Sequence, residues 1–157
     1  MAVNRNSVSP VAITAVVLTF QRLDVYQRAI QFLSLALRIA DGVPRGHGAA
    51  LDQLRRAAMS VPLNIAEAAG RPGPADAART YAIARGSAME CAAILDTLQV
   101  SGVVSQRDHA DGNELLERIV AMLTRLCRKV TQVPAPFTAT SPSPSSTILL
   151  RYAAVSN

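Results

Sequence analysis

Four basic side chains stand close together late in this 157-residue chain: Arg118, Arg125, Arg128 and Lys129. Arg118, Arg125 and Arg128 are spaced by seven and three, which places them on one face of a helix. A guanidinium group is a planar fork of donors that matches phosphate or carboxylate oxygens in pairs. The stripe is therefore a candidate surface for RNA or DNA, with Arg55 and Arg56 as secondary candidates. Nothing in it suggests base-specific reading, so such binding would be dominated by phosphates and weaken with salt. The same pattern also fits a solvated helix face whose last-turn cations complement the helix dipole.

A second constellation is a polar stripe, Arg56, Ser60, Asn64, Glu67 and Arg71, at steps of four, four, three and four. It reads either as a ligand surface or as a network fixing the register of two helices. In the network reading Glu67 pairs with Arg85, Glu90 pairs with Arg55 or Arg56, and Asn64 satisfies the carbonyl that Pro62 leaves without its donor. Buried charges need partners, and breaking one such pair costs about 3–5 kcal/mol. Asn64, Glu67, Arg85 and Glu90 are thus the expected structural network.

Catalytic and metal-binding readings fare less well. His47 and His109 are expected in turns, and neither has a second His or Cys at ligand spacing. Gly70-Arg-Pro-Gly73 lacks the lysine and spacing of a phosphate loop. Ser60 and Ser87 have no neighbouring histidine to activate them. The expectation is a non-enzymatic protein without cofactor or metal.

The elements that hold these residues follow from apolar periodicity. Half of the chain is apolar, yet only 4% is aromatic and there is no Trp, a composition that suits close-packed helices better than sheets. Tyr26, Ala29, Ile30, Leu33, Ala36, Leu37 and Ala40 predict a first helix ending near Gly42 and Pro44. Val25, Phe32, Leu35 and Ile39 form a second stripe on it. A small bundle buries one side of a helix, so this second stripe predicts a subunit interface. A second helix is expected over 49–69, bent near Ser60 by Pro62, and a third from Pro74 to about Val100, closed by Gly102. The third carries Tyr81, Ala84, Ala88, Cys91, Leu95 and Leu98 inward. Ser105 with Asp108, or Asp111 with Glu114, caps a fourth helix whose inward stripe is Leu116, Ile119, Leu123, Leu126 and Val130. The expected fold is an all-α, antiparallel up-and-down four-helix bundle over 21–132. Residues 1–20 read as a poorly ordered extension, and the Pro/Ser/Thr-rich 133–157 as a largely disordered tail.

The formal charge of +5 includes residues outside the bundle; from Leu23 to Gln132, thirteen basic residues face eleven acidic ones. Polyanion binding would therefore depend on clustering rather than on bulk charge. Fifteen of the sixteen basic residues are Arg, for which bias from a GC-rich genome is the plain alternative explanation. Cys91 and Cys127 fall at apolar helical positions and read as free thiols in a reducing compartment. Val11 to Phe20 is too short an apolar run to span a bilayer. The expected location is the cytoplasm.

Several of these segments carry a resemblance. Leu23-Asp-Val-Tyr26, the run Gln53-Leu-Arg-Arg-Ala-Ala-Met-Ser-Val-Pro-Leu-Asn-Ile-Ala-Glu67, then Gly70-Arg71, and Tyr81 to Glu90 with its Ala84-Arg-Gly-Ser87 core are similar to a bacterial four-helix-bundle family. Its members were first noticed as reading frames inside intervening sequences of 23S ribosomal RNA genes. The similarity covers roughly Phe20 to Val130. Related proteins include the accessory variability determinant of diversity-generating retroelements. The resemblance implies a homopentameric ring, with nucleic acid and a reverse transcriptase as partners. In a five-fold ring the basic stripe would be repeated around the assembly and its field concentrated. The alternative is a protein-binding scaffold with no nucleic-acid role.

Overall fold

The computed structural model describes residues 18–43 and 47–132. Of the extension expected over 1–20, residues 1–17 lie outside the described residues, as does the whole of the tail expected over 133–157. A 3-10 turn at Thr19–Arg22 leads into four α-helices: α1 Asp24–Gly42, α2 Gly48–Gly70, α3 Pro74–Val100 and α4 Gln106–Thr131. Each helix packs against its neighbours in the order α1, α2, α3, α4 and back to α1, which is the up-and-down bundle the periodicity predicts. No strand occurs among the described residues.

Local chemistry sets the helix ends. Pro74 occupies the start of α3, where its missing amide costs nothing. At the other end of α3, Gly102 takes φ +69°, and the amides of Gly102 and Val103 bond the carbonyls of Gln99 and Leu98. This crossed pair of bonds closes the helix, and its left-handed residue favours glycine. Of the two candidate caps for α4, Ser105 is used: its hydroxyl oxygen accepts from the Asp108 amide at 3.0 Å. His109 consequently lies in the first turn of α4, not in a turn between helices.

The core corrects the reading of α1. Val25, Ala29, Phe32, Leu35, Ala36, Ile39 and Ala40 are buried, whereas Ile30 and Leu37 are exposed. Tyr26 and Leu33 are half-buried. The stripe assigned to a subunit interface is the one that fills the bundle, and much of the stripe assigned to the core faces outward. The alanines of the first stripe, Ala29, Ala36 and Ala40, are buried together with the second, and because both stripes are apolar periodicity alone did not choose between them. Phe32 is the largest of the fully buried side chains. In α3 and α4 the expected stripes hold, with Leu126 and Val130 only half-buried.

Gly112 is a further core position. A Cβ there would sit 2.7 Å from Leu95 Cδ1, so α4 approaches α3 more closely than any side chain would permit without Leu95 moving.

Candidate functional site

The antiparallel order sorts the charges. One end of the bundle gathers the start of α1, the end of α2, the start of α3 and the end of α4; the other end gathers the opposite termini. Divided at the helix midpoints, the first half holds eight basic residues against three acidic ones among the described residues. They are Arg22, Arg28, Arg71, Arg79, Arg85, Arg125, Arg128 and Lys129, against Asp24, Glu67 and Asp76. The second half holds five basic against eight acidic residues. A bundle whose core charges nearly balance in sequence is thus strongly polarised along its axis.

The two halves also differ in what the charges touch. In the acidic half every pair of adjacent helices is tied by a polar link involving a charged group. Arg55 joins α2 to α1 by donating to the Ala40 carbonyl at 3.0 Å and to Asp41 at 3.1 Å. Arg38 joins α1 to α4 through Asp108 at 3.2 Å. His109 and Asp96, 2.7 Å apart, join α4 to α3, and Gln53 donates to Glu90 to join α2 to α3. The His109 hydrogen bond holds the Asp96 carboxyl below its ordinary range, and the Ser105 hydroxyl followed by Arg38 does the same for Asp108.

In the basic half no ion pair joins two helices among the described residues. Arg71 bonds Glu67 on its own helix, continued past its end, and Arg28 donates to Gln31 on its own. Arg22, Arg79, Arg125, Arg128 and Lys129 make no ion pair or side-chain hydrogen bond among the described residues. Free guanidinium groups keep all their donors for a partner in solution.

The candidates separate accordingly. Arg125, Arg128 and Lys129 are exposed and unengaged. Arg118 lies near the middle of α4 and donates to Glu114 at 2.6 Å, which neutralises it locally. Arg55 is taken up by Asp41, Asp52 and the Ala40 carbonyl. Arg56 donates to Gln53 at 2.6 Å. Arg22 and Arg79 were missed as candidates. Counting helix direction from the sequence would have found them, because alternation brings the start of α1 and of α3 to the end of α4.

The expected network is corrected. Glu67 pairs with Arg71 rather than Arg85, and its side chain is half exposed. Ser87 meets α2 through Ser60, with 2.9 Å between their hydroxyl oxygens. Arg85, two residues earlier, is turned about 200° around α3, away from Glu67. Glu90 accepts from Gln53 instead of from an arginine, so Arg56 reaches it only through the Gln53 amide. Asn64 donates to the Ser60 carbonyl at 2.8 Å and the Ser60 hydroxyl at 2.9 Å, not to the carbonyl of Ala58 that Pro62 leaves free.

A second surface is apolar. Tyr26, Ile30, Leu33 and Leu37 recur at steps of four, three and four along α1. Leu37 stands one turn before Ala40 and Asp41, the residues that bond Arg55, so the stripe is on the side of α1 turned to α2. On α2 the exposed Met59 and Leu63 lie one turn apart on the outer surface. Along 26–37 the only charged residue is Arg28. Low charge beside exposed aliphatic groups is the composition of an interface core.

Burial shifts the titration of two core groups. Cys91 is fully buried and its thiol is pushed up to about 12 by burial, with the Glu90 carboxylate adding to the shift. The Tyr81 hydroxyl is likewise raised by burial. Among the described residues no three His, Cys, Asp or Glu side chains are grouped to hold a metal. No helix among them is long and apolar enough to cross a membrane.

Comparison with known proteins agrees with this architecture. Residues 21–125 match the family model described as 23S rRNA-intervening sequence protein. Among solved structures, the chain is similar to a protein of unknown function from the S23 ribosomal protein family of Bacteroides thetaiotaomicron VPI-5482, with a TM-score of 0.62. The two are 19% identical, and the match covers 66% of this chain and 98% of that one. At that identity the likeness speaks to fold alone. No curated protein matches the chain.

Proposed function

We propose that this chain, which belongs to the 23S rRNA-intervening sequence protein family, is a non-catalytic cytoplasmic scaffold that binds RNA or DNA electrostatically as a homo-oligomer. The observation that carries the reading is the basic half, with Arg125, Arg128 and Lys129 free on α4 and Arg22 and Arg79 free at the same end of the bundle, on its α2 side. Each free cation that meets a phosphate releases a counterion, so several together supply affinity without reading bases. The acidic half would face away from a polyanion and orient the bundle on it.

Self-association is supported by the apolar α1–α2 surface. A closed ring built through it would repeat the basic half on one side of the assembly and so multiply its field. A pentamer is the assembly that the resemblance implies, and a reverse transcriptase is the enzyme such a scaffold would serve. The same apolar surface also favours a second reading, in which it docks an unrelated protein and the basic half plays no part.

Two measurements test the proposal. Native mass spectrometry of the full chain is expected to give a closed oligomer, and Leu37→Glu with Leu63→Glu is expected to release monomers. Labelled single-stranded RNA is expected to bind the wild type saturably at low salt. R125E/R128E is expected to weaken that binding on the order of a hundredfold with an unchanged helical spectrum. Undiminished binding by that variant would place the site elsewhere.

A further inference from the structure

Within the basic half, α1 and α4 leave a pocket of about 220 Å³ between them. Its walls are aliphatic, from Leu23, Val25, Met122 and Leu126, and its rim carries two charges, Arg125 and Asp24. Asp24 is exposed and makes no ion pair among the described residues. Lys129 stands one turn beyond Arg125 on the same face of α4, and Arg28 one turn beyond Asp24 on the same face of α1. An apolar cavity is thus set inside the cationic surface, with a single carboxylate at its mouth.

Resting on the nucleic-acid reading above, we infer that this pocket receives one unstacked base of a single strand, and that guanine is the base it favours. The charge pattern selects this occupant. An acyl chain with an anionic head, or an acidic peptide, would bring negative charge onto Asp24 as well as Arg125. A nucleotide separates the two requirements: its phosphate meets Arg125, its base turns apolar faces to the aliphatic walls, and the base edge offers N–H donors to the carboxylate. A carboxylate is an acceptor only, with two oxygens. Guanine presents two adjacent N–H donors on its pairing edge, and uracil presents one. In a duplex that edge is occupied by the complementary base, so the pocket reads single strands, as unstacked bases are generally read.

The test uses phosphodiester strands of abasic sugars that carry one guanine, one uracil or no base, titrated against the full-length protein by anisotropy at low salt. The guanine strand is expected to bind about tenfold tighter than the abasic strand, equivalent to about 1.4 kcal/mol, with the uracil strand between them. Asp24→Asn is expected to remove the difference between guanine and uracil. Leu126→Trp, which fills the pocket, is expected to abolish the gain from either base while abasic binding persists. Abasic binding with no gain from guanine in the wild type would overturn the pocket and leave the electrostatic reading standing. No binding of any strand would overturn both. Should Leu126→Trp fail to fold, the wild-type comparison and Asp24→Asn still decide the matter.

Discussion

The two halves of this bundle use the same residue types for opposite ends. In the acidic half, Arg38, Arg55 and His109 are each held by carboxylates or a carbonyl of a neighbouring helix. In the basic half, Arg125, Arg128, Lys129, Arg22 and Arg79 are held by nothing among the described residues, and the helices meet there through apolar side chains such as Ile65 and Leu123. The difference teaches that a charge's availability follows from where the chain's reversals place it. Charges near complementary neighbours become internal ties, and charges gathered with their own sign stay free.

The comparison can be broken most severely in the core. Ile65→Ala, in the half without ion pairs between helices, is expected to cost about 2–5 kcal/mol, read as a large drop in melting temperature. A smaller loss would mean that apolar packing is not what holds the basic half. Arg55→Ala in the acidic half comes next, at about 1–2 kcal/mol, because it removes a bond to a backbone carbonyl along with two exposed ion pairs. Denaturant titration of both variants would show whether packing exceeds polar ties as the structure requires.

Acid sharpens the contrast further. Asp96 and Asp108 have folded-state values below the ordinary carboxylate value of 3.8. Their contribution is fully present above that value and is lost as pH falls through the depressed folded values. The melting temperature is therefore expected to fall below about pH 4, and Asp96→Asn with Asp108→Asn should flatten that fall. An unchanged acid profile in the double variant would show that these ties do not stabilise the fold. The smallest effect belongs to Glu67→Ala. A buried network would make this change severe, but a half-exposed pair with Arg71 predicts a loss within about 0.5 kcal/mol.

Much of this architecture was legible in the sequence where a signal had one physical meaning. Pro74 and Gly102 mark the ends of α3 through their own backbone constraints, and the inward stripe of α4 stands against a polar opposite face. The reading failed where two meanings competed. In α1 both stripes are apolar, and only the assembled bundle shows that Phe32 and Val25 face inward while Ile30 and Leu37 do not. The pairing of Glu67 with Arg85 failed because spacing within a helix does not report which neighbour that face meets. For the site, the Arg125, Arg128 and Lys129 cluster was visible as a local run. The positions of Arg22 and Arg79, and the tie of Arg55 to Ala40 and Asp41, depend on which separate segments the fold brings together, whereas the pairing of Arg118 with Glu114 is a local i, i+4 contact that the spacing already allowed.

The most direct test of the central claim is the salt dependence of single-stranded RNA binding, measured between about 50 and 200 mM salt for the wild type and three single variants. Arg128→Gln and Lys129→Gln, which remove free cations, are each expected to lower the slope of log affinity against log salt by about one. Arg118→Gln, whose side chain is already paired with Glu114, is expected to leave the slope unchanged. Equal effects of all three variants, or a wild type whose binding ignores salt, would contradict the division between engaged and free charges on which this account rests.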